Sequence, residues 1–302
     1  MAVYAGEWFR NIKFSLRYSH PLARIPWSAI RRIGQSRLLK LTIIVPFLGS
    51  LLLFNERVVD LLTLSTDVVG RWLPVGIDDP KAEARGLTLT RLYYLYFGGT
   101  FLGIGSALFA LLCPLDIKTY GSPREHIEAE GPLVTSARMG LMVTTIVQEF
   151  ENWFDDEYPG YSKTVRTLGE PGDFESLFSQ VITEVYVAIP DEQKPDDVGP
   201  KDDPEADFGG IYTDHRGRPH PRKIANSLYM GTTADQALAY QIQAIAIKEE
   251  YRRDFLTLQY LALDHSKPWA RAIVTIFYCL GFFLLLLPTA FTFFRLLYKA
   301  VT

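Results

Sequence analysis

The chain has 302 residues, a formal net charge of −3 at pH 7, and 48% hydrophobic residues. That balance argues against a nucleic-acid binder, and two cysteines, Cys113 and Cys279, both in or beside apolar runs, read as packing residues rather than a disulfide. No Walker loop, Gly-rich dinucleotide turn, G-x-S-x-G or paired-Cys motif occurs, so the sequence gives no trusted catalytic signature and implies no cofactor.

Residues 1–37 form a basic amphipathic segment. Residues 1–40 carry eight Lys/Arg against one acid, Glu7. Trp8, Phe9 and Trp27 interleave with Arg10, Lys13, Arg17, Arg31 and Arg32. Such a mixture suits an anionic leaflet, aromatics down and cations at the headgroups. A nucleic-acid patch would also be basic. This run abuts an apolar segment in a slightly acidic chain, so a membrane surface is the expectation and no nucleic-acid partner is expected.

The first apolar segment has 15 residues, LTIIVPFLGSLLLFN, between Lys40 and Glu56, or about 22 Å of helix. A span over about 38–56 must recruit Leu38 and Leu39, with Lys40 snorkelling to the interface. A re-entrant segment is the alternative. A cleaved signal peptide is not expected, because a long charged region precedes the segment and no small-residue cleavage site follows. Residues 57–91 form a loop in which Val58, Val59, Leu61, Leu62, Val69, Trp72 and Leu73 suggest a short amphipathic helix ended by Pro74.

The second segment has 24 uncharged residues between Arg91 and Asp116. Tyr93, Tyr94 and Tyr96 sit where an aromatic belt belongs. Gly98, Gly99, Gly103 and Gly105 are candidate packing residues, and Gly99-x-x-x-Gly103 is a small-xxx-small pattern that permits close helix approach.

Residues 116–271 are enough for one domain, with 27 Asp/Glu against 16 Lys/Arg. Helical spacing predicts helices over 132–154, 173–189 and 232–266, with Val185–Ile189 a possible strand. The last reads as a long stalk leading to the third apolar segment. Residues 190–223, rich in Pro, Gly and Asp, read as a flexible insert. Within it His215 and His220, with Asp207 and Asp214, are a weak metal candidate that Arg216, Arg218 and Arg222 oppose. In REHIEAE, His126 lies among Glu125, Glu128 and Glu130 and is a weak candidate for proton transfer.

The third segment has 23 uncharged residues between Arg271 and Arg295, of which 14 are Leu, Ile, Val or Phe. As a helix it spans roughly 35 Å, enough to cross lipid. Pro288 predicts a kink.

The expected fold is therefore a mainly α membrane protein with three transmembrane helices. A mostly helical cytosolic domain is inserted between the second and third, and residues 272–302 hold the last span and a short tail. The positive-inside rule places the N-terminus and the 116–271 domain in the cytoplasm of a plasma or inner membrane, and the C-terminus outside. The expected partners are the bilayer and either a second copy or a protein docking to the acidic domain. No Asp, Glu, Lys, Arg or His lies inside the spans away from their ends, which disfavours a monomeric transporter. The leading functional expectation is a non-enzymatic oligomeric sensor, scaffold or effector, with pore formation as a variant. A membrane-anchored enzyme using His126 is the alternative.

Overall fold

The computed structural model describes residues 25–36, 80–154, 172–197, 210–231 and 233–301. The first apolar segment, most of the 57–91 loop and residues 1–24, among them Trp8, Phe9, Arg10, Lys13 and Arg17, lie outside the described residues. The described elements are helices: α1 (Trp27–Gly34), α2 (Pro80–Leu112), α3 (Leu115–Thr119), α4 (Pro123–Glu130), α5 (Ser136–Phe154), α6 (Gly172–Val187), α7 (Pro221–Met230), α8 (Thr233–Ala246), α9 (Glu249–His265) and α10 (Pro268–Val301). Short 3-10 turns cover Gly131–Leu133 and Asp191–Gln193. The chain divides into two compact units, Met1–Ser28 with Pro114–Trp269, and Ala29–Cys113 with Ala270–Thr302.

The first unit is a helical domain around one apolar core. α5 contributes Met139, Met142, Val143, Ile146, Val147 and Phe150 at helical spacing. Against them pack Phe174, Phe178, Ile182 and Val185 of α6, Leu238 and Ile242 of α8, and Phe255 and Leu256 of α9. Phe150 stacks on Phe178 with ring centroids 3.9 Å apart. Each fully buried aromatic or aliphatic side chain contributes roughly 1.5–3 kcal/mol.

Three sequence expectations change here. Val185–Val187 ends helix α6 instead of forming a strand. The expected 232–266 stalk is two helices. Lys248 is extended (ψ 145°), Arg252 donates from Nε and Nη2 to the Ile247 carbonyl at 3.1 and 2.9 Å, and Glu249 and Glu250 occupy the first turn of α9. The guanidinium satisfies a carbonyl just beyond the end of α8 while the acids favour the positive end of α9, so a break is stable there. Nor does α9 project. It packs against α3, α4, α5, α6 and α8 inside the domain.

The described part of the 190–223 insert is built rather than loose. The fully buried Tyr212 ring packs 6.1 Å from Tyr186 and donates to Asp235 at 3.4 Å. Asp197 accepts from the Tyr212 backbone N–H at 2.7 Å and from the Thr213 hydroxyl at 2.5 Å. Lys223 Nζ donates to the carbonyls of Gly210 and Thr213. Asp214 takes the N–H groups of Arg216 and Arg218 at 2.8 Å each, and Gly217 supplies the positive φ of 70° that the turn needs. α7 follows and ends at Gly231, φ 69°, a left-handed cap.

The start of α1 is tied into the same unit from far along the chain. Asp264 accepts from the Ser28 N–H at 2.6 Å and from its hydroxyl at 2.9 Å, and Trp27 Nε1 donates to the Ser266 carbonyl at 3.1 Å. Asp264 thus acts as a helix N-cap supplied in trans.

The second unit contains two helices long and apolar enough to cross a membrane, Thr90–Leu112 within α2 and Pro268–Phe294 within α10. Only 28% of the most apolar stretch of each is buried. Phe283, Leu286 and Phe291 on α10 are 60%, 63% and 66% exposed, and Tyr93, Phe97 and Leu111 on α2 are exposed as well. α10 continues through Pro288, which denies the Leu284 carbonyl its usual donor.

Candidate functional site

The most unusual polar environment in the domain surrounds His126. Ser122 caps α4 by accepting from the Glu125 N–H at 3.3 Å, Pro123 starts the helix, and Glu125 reaches back to the Gly121 N–H at 2.6 Å. This capping fixes the helix phase and turns His126 inward. The ring is 0% exposed. Tyr120 meets it edge-on at 5.2 Å, and Tyr260 of α9 lies at 5.8 Å on a tilted plane. Tyr260 donates its hydroxyl hydrogen to the Tyr120 carbonyl at 3.2 Å, closing the layer.

Among the described residues neither ring nitrogen of His126 has a hydrogen-bond partner of good geometry, and neither does Oε1 of the neighbouring Gln259. Desolvation pushes the ring's pKa below the ordinary histidine value, while Asp116, the Gln259 amide and Glu130 pull the other way and Arg138 adds to the lowering. Glu130 itself accepts from the Tyr120 hydroxyl at 2.5 Å and pairs with Arg138 at 2.5 Å. The Tyr120 hydrogen bond, then Arg138, holds its carboxyl below the usual range against desolvation, and the same bond raises Tyr120.

Sequence proximity suggested Glu125, Glu128 and Glu130 as neighbours of His126. Of these, Glu130 acts on the ring, whereas Glu125 caps Gly121 and Glu128 pairs with Arg124 at 2.8 Å on the exposed face. The charged groups that act on the ring are Asp116, Glu130 and Arg138. Tyr120, Gln259 and Tyr260 went unnoticed in the sequence because the ring's α9 neighbours are far along the chain; Tyr120 and Tyr260 are 140 positions apart. No local spacing signals such a pair. The covered ring presents no nitrogen at the surface of the domain.

The other candidates disperse. His220 is the N-cap of α7, its Nδ1 accepting from the Lys223 N–H at 3.4 Å. His215 is exposed and accepts from Arg216 Nε at 3.2 Å. Asp214 is spent on its turn, where the backbone N–H groups hold its carboxyl below the usual range, and Asp207 lies outside the described residues. Among the described residues no group of three or more His, Cys, Asp and Glu is arranged to hold a metal ion. Trp27 was expected at a membrane surface, but it is fully buried with its indole N–H bonded. Arg32 is exposed and Arg31 half-buried.

The glycines form a seam between α2 and α10. A Cβ on Gly98 would meet Leu285 at 2.8 Å and the Gly281 carbonyl at 3.1 Å, and one on Gly105 would meet Tyr278 at 2.8 Å. A Cβ on Gly281, which the sequence did not flag, would meet Leu102 at 2.6 Å and the Gly98 carbonyl at 2.9 Å. Gly99 is buried, and beside Gly103 there is open space. Arg91 donates to Thr292 at 3.3 Å, so the two helices run antiparallel.

Comparison with family models, curated proteins and solved structures gives no match to this chain.

Proposed function

We propose that this chain is a non-enzymatic integral membrane protein whose helical domain, 116–271, is coupled to membrane-crossing helices and works as a sensor, scaffold or effector. One observation carries the reading. α2 and α10 are long, apolar and mostly uncovered. A core helix of a water-soluble protein would be buried, and uncovered Phe and Leu along both helices would cost stability in water. Lipid is the solvent in which that surface costs nothing. The close approach at Gly98 and Gly281 supports the same reading, because glycine seams are how helices associate where hydrophobicity supplies no drive between them.

The finer topology belongs to the same proposal. Three spans are drawn, with the segment near 38–56 as the first. The N-terminus and the acidic domain face the cytoplasm and the C-terminus faces outward, because the basic residues cluster ahead of the first apolar segment. Uncovered span faces also suit a second copy of the chain, and an oligomer could gate or perturb the bilayer.

Flotation on a density gradient after alkaline carbonate extraction tests the membrane claim. The full chain should float with lipid, and release into the supernatant would contradict it. A cysteine at Glu192, which is exposed, tests sidedness. It should resist impermeant maleimide in intact cells and react after permeabilisation.

A further inference from the structure

We propose that His126 is a proton-operated latch between α4 and α9, the two stretches of the domain through which the chain reaches the apolar helices. The argument begins with connectivity. Only Cys113 and Pro114 separate α2 from α3, and α4 follows shortly after. Only Ser266 and Lys267 separate α9 from α10. Lys267, at φ 49°, holds a left-handed conformation unusual for a residue with a side chain. Tyr120 and His126 therefore stand on the chain entering the domain, and Gln259 and Tyr260 on the chain leaving it. Their contact joins the two exits.

The contact is built for a neutral ring. His126 is covered by Tyr120 and Tyr260 and makes no hydrogen bond through either nitrogen. A neutral imidazole without partners is a moderate burden on a fold, whereas an imidazolium has two N–H donors and a charge, and without acceptors it is a severe one. The acceptors it would seek come from every side. α3 offers Asp116, α4 its own Glu130, and α9 the unbonded Oε1 of Gln259, while Arg138 of α5 repels. Glu125 and Glu128, on the other face of α4, are spent on Gly121 and Arg124. Glu130 is already held by Tyr120 and Arg138. In the proposed response the charged ring leaves the gap between the tyrosines toward Asp116 and Gln259, the groups that favour its charged form. That movement opens the Tyr260–Tyr120 hydrogen bond and shifts α4 against α9. The input proposed is acidification of the compartment that the domain faces.

The sign follows from the lowered ring pKa. The unfolded or released state binds the proton more readily than the latched state, so latch stability is full above about pH 6.5, the ordinary histidine value. It falls as pH drops below that value, and it stops falling only below the depressed value of the latched ring.

The latch rests on the membrane reading for its output but not for its existence. Hydrogen exchange on the full chain in nanodiscs, corrected for intrinsic exchange rate, reads it directly. Between pH 7.5 and 5.5, peptides covering 115–130 and 256–262 should lose protection, on the order of tenfold per unit of pKa difference. Peptides in α6 should stay level. His126→Phe should abolish the response. Gln259→Leu removes an acceptor of the charged ring and should move the midpoint to lower pH. Level protection in the wild type, an unchanged response in His126→Phe, or an unmoved midpoint in Gln259→Leu would each overturn the latch. A chain that stays soluble without lipid would overturn the membrane reading instead, and the same exchange experiment then applies to the soluble chain.

Discussion

The helical domain and the α2–α10 pair are both α-helical, yet they handle apolar surface in opposite ways. In the domain, Phe150, Phe174, Phe178 and Phe255 are 1% exposed or less. On α10, Phe282, Phe283, Phe291, Phe293 and Phe294 are all exposed. The same residue type in the same secondary structure is hidden in one region and displayed in the other. Helix propensity cannot distinguish them; the intended solvent can. The domain covers its apolar groups with one another, whereas the pair packs closely at glycine and leaves its outer apolar faces uncovered.

The largest expected effect comes from equal substitutions in the two regions. Phe178→Ala should cost the domain about 3–5 kcal/mol, because it empties a stacked core position. Phe283→Ala should change thermal stability by no more than about 0.5 kcal/mol, because that side chain is 60% exposed. Melting curves in detergent check both, and equal losses would break the contrast. Next is the seam. Gly281→Val should loosen the pair by about 1–3 kcal/mol, since the added carbons meet Leu102 and the Gly98 carbonyl. Gly103→Ala, beside open space, should be neutral or mildly stabilising, by at most about 1 kcal/mol. Crosslinking between cysteines at positions 94 and 289 reads both variants.

A smaller effect concerns the docking of α1. Asp264→Ala removes the acceptor of the Ser28 N–H and hydroxyl and should cost about 0.5–2 kcal/mol. It should show as faster proteolysis near residues 25–36. The smallest effect is alkaline. Desolvation pushes the Tyr186 hydroxyl up to about 12, so the folded state keeps a proton that the unfolded chain loses near pH 10. Domain stability should therefore decline above about pH 10. Tyr186→Phe should flatten that decline, as followed by circular dichroism.

How legible this was differs by element. α10 was legible as a long apolar helix, since 23 consecutive residues carry no charge. α5 and α6 were legible because their inward residues keep a helical period. The break at Ile247–Lys248 was not, because Ala, Gln and Leu continue the helical propensity on both sides and only Arg252 with the acidic pair betrays it. The insert misled because its order rests on a single buried ring, Tyr212, plus Asp197 and Lys223, and composition averages such anchors away. His126 was visible as a histidine among acids, and of the three acids beside it in sequence Glu130 acts on the ring. Capping turned Glu125 and Glu128 outward, and the groups that define the ring's environment arrive from α3, α5 and α9. Gly281 was hidden as a lone glycine in an apolar run, while Gly98 and Gly105 were noticed only as part of a cluster.

Spin labels tell lipid from water and from protein. In a chain with Cys113 and Cys279 replaced, a label at Phe283→Cys or Leu286→Cys should be relaxed strongly by oxygen and weakly by a soluble nickel complex in reconstituted bilayers. A label at Glu192→Cys should show the reverse. If the α10 labels are reached by nickel as readily as the one at position 192, that helix does not lie in the bilayer core and the central claim fails.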